Sequence, residues 1–499
     1  MAIEVQGQHR LSYGATAVAG VVAIALVALA GGYGYHGDEL YFVAAGRHLA
    51  WGYPDQPPLT PFLAHLMDLI APDNLVVLRI PAALAAGLTV LFVALIAQEL
   101  GGRPRAQLIA ASAAAVSGLV LVPGHMLHTT TIDVCLSAAL AWLVVRVLRT
   151  GDERLLPAAG AVLGLGLLNK YQIAVVAVAM VVGLAVVGPR DVLRSPWFLG
   201  GLLLALAMWA PNLLWQAEHG WPQFAMAQLL SERGGNSARL GFIPMQLVYV
   251  SPFLVPLWIA GLVKLLRTPP FRFLGVAYLL PAVAFIAAGG SALYQFGAYP
   301  ALLAAGGLAV DGWLLRGATG RRVAIGVSLA ASALFVVPLA LPLVPLDELS
   351  TVPVVKLNGL TADQFGWPEL SETVSRAYQG LPVGQREHTV LLTENFGEAA
   401  ALERYGPALG LPDVYSGYRG YGDWGHPPET ATTVLIVRPG AKTEPPAWAN
   451  RVCRDDLRLV ARTDNDWGVQ NKERGGHVWL CAGVSESWAS LWPEIRHLD

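Results

Sequence analysis

What most limits the folds open to this chain is a succession of apolar runs that continues to Pro345 and then stops. The runs lie at 13–32, 75–98, 106–122, 132–149, 155–168, 172–188, 197–213, 242–263, 272–290, 295–314 and 323–343, the fifth being the shortest. A helix needs roughly 17–25 apolar residues to cross a bilayer, so the pattern predicts about eleven transmembrane helices. Charge follows the same border. Up to Pro345 there are 19 Lys and Arg against 14 Asp and Glu, and the last 154 residues hold 14 against 21. The tail therefore approaches the roughly 25% charged content of soluble domains. The expected organisation is a polytopic α-helical membrane domain at 1–345 followed by a soluble domain at 346–499. A net charge of −2, with the acidic excess in the tail, leaves no basic surface for nucleic acid and excludes that class.

Orientation follows from where Lys and Arg fall, because positively charged loops stay cytoplasmic. With the N-terminus inside, 14 of the 19 basic residues before Pro345 lie on the cytoplasmic side, and Arg47, Arg79, Lys170, Arg233 and Arg239 lie outside. The long loops at 33–74 and 214–241 and the whole tail are then expected outside the cell, in the inner membrane of a bacterium. The Ala28-Leu29-Ala30 triplet resembles a signal-peptidase site, but the stretch before it is longer than a usual signal core, and span one is expected to be retained. In an extracytoplasmic tail Cys453 and Cys481 can pair, with two free buried thiols as the alternative. The tail itself shows strand-like segments at 389–393, 433–437, 457–461 and 477–482, with helix-like segments at 362–379 and 398–405, which reads as a small α/β domain.

The first external loop, Tyr33 to Pro61, is the richest in chemistry. Asp38 and Glu39 open an amphipathic run and are flanked by His36 and Tyr41, so a carboxylate is available as a general base. An N-terminal helix cap is the plainer reading of the same acids. In Pro54-Asp55-Gln56-Pro57-Pro58, proline fixes the backbone and aims Asp55 and Gln56 in a defined direction; a plain surface turn is the alternative. Asp133, after the loop that carries His125 and His128, and Lys170, beside Tyr171, fall near external ends of spans. Ionised groups at such depth pair with one another or line a polar site. Gly160, Gly164 and Gly166 suit close helix packing, and no Walker loop, dinucleotide fingerprint or nucleophile elbow occurs.

Taken together, Asp38-Glu39-Leu40-Tyr41, Gly46-Arg47-His48 and Asp55-Gln56-Pro57-Pro58-Leu59 resemble the polytopic glycosyltransferases of the GT-C fold. The nearest likeness is to the bacterial family 39 proteins, related to protein O-mannosyltransferases and to the aminoarabinose transferase of lipid A. It extends through Asp133, Asn169-Lys170-Tyr171, Pro211-Asn212 and Tyr299-Pro300, over roughly the first 310 residues.

The resemblance implies a sugar transfer from a polyprenyl-phosphate donor to a lipid, glycan or protein acceptor at the external face of the membrane. It puts Asp38, with Glu39, at the position of the catalytic base. Lys170, Arg79, Gln56 and Tyr171 become candidates for the donor phosphate, and Tyr41, Asp55, Asp133 and His128 for substrate contacts. Gln56 departs from the lysine that related enzymes often carry there, so the cation that meets the phosphate is open; a divalent metal at Asp38 and Glu39 is one alternative. No other cofactor is implied. A transporter or flippase is the rival reading, and a non-catalytic receptor a third.

Overall fold

A computed structural model describes residues 9–317, 319–440, 444–454 and 457–498. The chain divides into two compact units, and it passes repeatedly between them. The first comprises residues 1–30, 56–60 and 78–341, and the second residues 31–55, 61–77 and 342–499. The charge border at Pro345 is thus close to where the chain finally enters the second unit. The first external loop, however, groups with the C-terminal residues for the most part.

The first unit is helical throughout. Among the described residues 6 helices are long and apolar enough to cross a membrane, or up to 8 if each of two bent pairs is one span. Every apolar run read from the sequence is helical, but the count of eleven is not reached. Tyr13–Leu29 and Gln172–Val187 have 17 and 16 residues, and Leu156–Leu167 only 12. The run at 242–263 is broken by 86° around Ser251, which adopts φ 138. The region 214–241, expected as a loop, is helical apart from a tight turn at His219-Gly220-Trp221. Pro196–Glu218 ends there and Pro222–Val250 begins, itself kinked at Gly235. Pro222 at the helix start and the helix formers that follow it explain that outcome.

Small residues set how closely these helices pack. A Cβ on Gly160 would meet the carbonyl oxygen of Gly201 at 2.0 Å, so Leu156–Leu167 and Pro196–Glu218 touch backbone to backbone. A Cβ on Gly261 would likewise lie 2.0 Å from the carbonyl oxygen of Leu302. The glycine seam therefore serves helix packing, as the sequence suggested.

In the second unit a five-stranded sheet has the order β2-β1-β3-β5-β4, with β1 Thr389–Thr393, β2 Val414–Ser416, β3 Thr433–Arg438, β4 Arg458–Arg462 and β5 His477–Cys481. Strands β1, β2 and β3 run parallel, and β5 is antiparallel to β3 and β4. Side chains alternate across a strand. Val390, Leu392, Val434 and Ile436 accordingly pack with Trp488, Leu491 and Trp492 on one face, and Leu391, Leu435 and Val437 with Leu370, Val374 and Leu402 on the other. Coverage of both faces explains why β1 and β3 carry unbroken apolar stretches, Val390–Leu392 and Val434–Val437, and are buried along their whole length. Cys453 and Cys481 form a disulfide that spans 28 residues.

The expected helix 362–379 is divided. Gly366 takes φ 94, and the helix proper, Trp367–Gln379, starts after it with Pro368 in its first turn. Trp367 then projects between Gly37 and Gly397, where added Cβ atoms would lie 3.0 and 2.9 Å from its ring. Through this contact helix Gly37–Arg47 of the first loop is seated on helix Phe396–Tyr405 of the tail.

Candidate functional site

The second unit carries Asp38. His36 precedes helix Gly37–Arg47 in an extended conformation, and its Nδ1 accepts from the Asp38 backbone N–H at 3.1 Å. Glu39 reaches back so that its Oε2 accepts from the His36 N–H at 2.9 Å, which closes a capping box. Of the two adjacent acids, Glu39 is wholly buried and occupied as a cap, whereas the Asp38 side chain is 33% exposed. Asp38 Oδ2 lies 3.9 Å from His36 Nδ1, and His36 Nε2 faces Asp363 at 4.0 Å. Lys472 pairs with Asp363 at 3.1 Å, and Asn471 fixes this loop by donating to the carbonyls of Ala362 and Phe365. The positive charges of Arg419 and Lys472 both act on Asp38.

Tyr41 and Asp55, two of the expected substrate contacts, meet each other. The Tyr41 hydroxyl donates to Asp55 Oδ1 at 2.9 Å and accepts from the Gly420 N–H at 3.3 Å. The ring is packed against Phe396, at 4.7 Å between centroids, and lies near Trp424 and Tyr421. Arg419 Nη1 approaches Asp55 Oδ2 at 3.4 Å. Burial pushes the Asp55 carboxyl above its usual range, and the Arg419 charge and the Tyr41 hydrogen bond pull it part of the way back.

Elsewhere in the tail a second pair of acids is enclosed. Glu398 and Glu473 are both buried; burial, together with the charge of Glu473, drives Glu398 well above its ordinary value, and burial pushes Glu473 up to about 7.

The first unit holds the remaining candidates, around the short segment 56–60. Leu59 N–H donates to the Leu168 carbonyl at 2.8 Å, and Thr60 Oγ1 donates to Asn169 Oδ1 at 2.8 Å, while Asn169 Nδ2 donates to the Thr129 carbonyl. These bonds orient the neighbouring Lys170, whose Nζ donates to Thr130 Oγ1 at 2.9 Å. Asp133 follows one turn later on the same helix, Thr129–Thr150; its side chain is buried and its Oδ1 has no hydrogen-bond partner among the described residues. Gln56 is also buried, and its Nε2 has no hydrogen-bond partner among the described residues. Tyr171 donates to Asn212 Oδ1 at 2.6 Å, and Trp209 Nε1 donates to the same oxygen.

Two candidates have clear local work. His128 caps helix Thr129–Thr150, its Nδ1 accepting from the Thr130 N–H. Arg79 is fully buried and donates to the Ala30 carbonyl at 2.6 Å, at the end of helix Tyr13–Leu29, where a cation suits the helix dipole. The segment Thr393–Glu398 is a strand-to-helix turn in which Asn395 caps the helix that follows.

The described residues contain no grouping of three His, Cys, Asp or Glu side chains suited to a metal ion. The Asp38 and Glu39 pair does not fit such a role, because the Glu39 carboxylate is engaged with the His36 backbone. Sequence reasoning did not reach Arg419, Asp363 or Lys472. They stand more than 300 residues from Asp38, Arg419 at the start of the short 3-10 helix Arg419–Asp423, Asp363 in a turn and Lys472 in a bend, and the one local signal is Arg419 in the aromatic and glycine-flanked Tyr418-Arg419-Gly420-Tyr421.

Comparison with known proteins gives a consistent picture. Residues 55–215 match the dolichyl-phosphate-mannose-protein mannosyltransferase family, a segment that includes Asp55, Gln56, Arg79, Asp133, Lys170 and Tyr171. The fold is similar to that of ArnT from Cupriavidus metallidurans bound to undecaprenyl phosphate, with a TM-score of 0.58 and 16% identity over 93% of this chain and 97% of that one. The arabinofuranosyltransferase AftD from Mycobacteria aligns with a TM-score of 0.54 and 17% identity over 96% of this chain but 40% of its own length. No curated protein matches the chain in sequence.

Proposed function

We propose that this multi-pass membrane protein, a glycosyltransferase of the GT-C fold whose residues 55–215 match the dolichyl-phosphate-mannose-protein mannosyltransferases, moves a sugar from a polyprenyl-phosphate donor to an acceptor hydroxyl. The observation that carries this reading is the family match, because its segment includes the buried Asp133 and the positioned Lys170. A donor anchored by its own lipid needs no nucleotide-binding loop, in keeping with a sequence that has none.

In the proposed reaction the Asp38 carboxylate takes the proton of the acceptor hydroxyl. The oxygen then attacks the anomeric carbon, the bond from that carbon to the phosphate oxygen breaks, and polyprenyl phosphate leaves. Negative charge grows on the departing phosphate, and Lys170 is assigned to stabilise it. Gln56 and Tyr171 are assigned to support Lys170, and Asp133 to substrate contact. Of the two first-loop acids, the partly exposed Asp38 suits a base better than the buried Glu39. The excess of Arg and Lys in loops of one side supports a cytoplasmic N-terminus and an extracytoplasmic tail. The Cys453–Cys481 disulfide supports the same orientation, since such bonds persist in oxidising compartments.

The test is to incubate the purified protein in liposomes with a panel of sugar-labelled polyprenyl phosphates and follow loss of the lipid-linked label. Turnover of a donor, to an acceptor or to water, that disappears in Asp38→Asn supports the reading. A protein that neither binds nor turns over any such lipid overturns it.

A further inference from the structure

Within the second unit one cation is held in an arrangement that an ordinary ion pair does not explain. Arg419 is not glycine, yet its φ is 51, a left-handed conformation that residues with a side chain rarely adopt and that collects at functional sites. Its guanidinium lies 4.9 Å from the ring centroids of both Phe396 and Tyr418, and these two rings are nearly parallel, 5° apart in plane. The guanidinium thus sits beside both rings of the stacked pair, within cation–π range of each. Its ion pair with Asp55 is long at 3.4 Å, and Arg419 Nε is buried without a hydrogen-bond partner among the described residues. A guanidinium carries five N–H donors, and a buried one left unpaired is unfavourable. The Arg419 side chain nevertheless remains 23% exposed, so a ligand can reach it.

We infer that Arg419, supplied by the C-terminal tail, binds the phosphate of the lipid-linked donor through its guanidinium fork, with the Phe396 and Tyr418 rings beside it. This rests on the donor class proposed above. A phosphate oxygen offers the acceptors that the fork lacks, and the fork suits it as a single ammonium does not. Asp55 then acts as the resting partner that the phosphate displaces, and its carboxylate competes for the same cation. The tail on this view contributes to donor recognition.

Equilibrium binding of undecaprenyl phosphate, without sugar, to the full-length protein in nanodiscs tests this, with thermal unfolding measured on each variant. Arg419→Ala should weaken binding on the order of ten- to a hundredfold. Arg419→Lys should lie between it and wild type, since charge remains but the fork is lost. Asp55→Asn should bind more tightly, because the competing carboxylate is gone while the guanidinium stays. Wild-type affinity in both Arg419 variants overturns the inference and leaves the donor reading standing. Parallel loss of binding and of thermal stability in Arg419→Ala and Asp55→Asn also overturns it, because the two residues are then simply a structural pair. If wild type itself fails to bind the lipid phosphate, the donor reading falls and this inference with it.

Discussion

The carboxylate of Glu39 and the backbone N–H of His36 form a 2.9 Å hydrogen bond that closes the start of helix Gly37–Arg47, so adjacent acids in one motif have different environments. Glutamine can make the same bond. Glu39→Gln is therefore expected to keep both folding and transfer, while Asp38→Asn should lower transfer by about 10²–10⁴-fold with the amount of folded protein unchanged. Glu39→Ala should instead lower stability by roughly 0.5–2 kcal/mol. Initial rates and melting temperatures of the three variants decide the matter, and a dead Glu39→Gln enzyme that melts normally would show that the second carboxylate takes part in chemistry.

Lys170 is oriented by its bond to Thr130 and by the neighbouring Asn169 network. Lys170→Ala is expected to raise the apparent KM for the lipid donor by about tenfold or more, the effect of one lost charge-assisted hydrogen bond, at unchanged melting temperature. An unaltered donor KM and kcat would remove Lys170 from the phosphate site.

The disulfide between Cys453 and Cys481 ties the end of β5 to the segment before β4. Replacing both cysteines with alanine should cost about 2–4 kcal/mol of stability in the tail. Protein purified without reductant should resist alkylation at both thiols, as read by mass spectrometry of its peptides. Full labelling of both in folded protein would contradict the bond.

Glu398 and Glu473 predict a pH dependence of stability. Burial places both carboxyls above the ordinary value of 4.5, Glu473 at about 7, so the native state holds protons that the unfolded chain has already released. The stability they contribute is complete below about pH 4.5 and is lost as the pH rises through about 7. Thermal unfolding of the full chain should accordingly show a melting temperature that falls between pH 5 and 8, and Glu473→Gln should flatten that slope. A melting temperature that rises over the same range would reverse the sign and reject the assignment.

How far the sequence led can be judged residue by residue. Strands β1 and β3 were readable because burial on both faces leaves an unbroken apolar signature. Strand β2 was not, since Val414–Ser416 is only 3 residues long and too short to carry a period. The 214–241 region was misjudged because polar residues such as Glu232, Arg233 and Arg239 suggest a loop, whereas they lie on helix Pro222–Val250. Candidates within a local motif, Asp38 and Asp55 above all, could be named in advance. That Asp55 would meet Tyr41 and Arg419 could not, because Arg419 is brought there by tertiary packing and shares no sequence spacing with the first loop.

The seating of helix Gly37–Arg47 on helix Phe396–Tyr405 also bears on how the protein is made. The ribosome releases the earlier helix some 350 residues before its partner exists, an interval on the order of tens of seconds at ordinary elongation rates. During that interval Tyr41, packed against Phe396 and near Tyr421 and Trp424 in the finished molecule, has no tail to cover it. A chain that ends before the tail would leave the Tyr41 ring without Phe396, Tyr421 and Trp424 as partners.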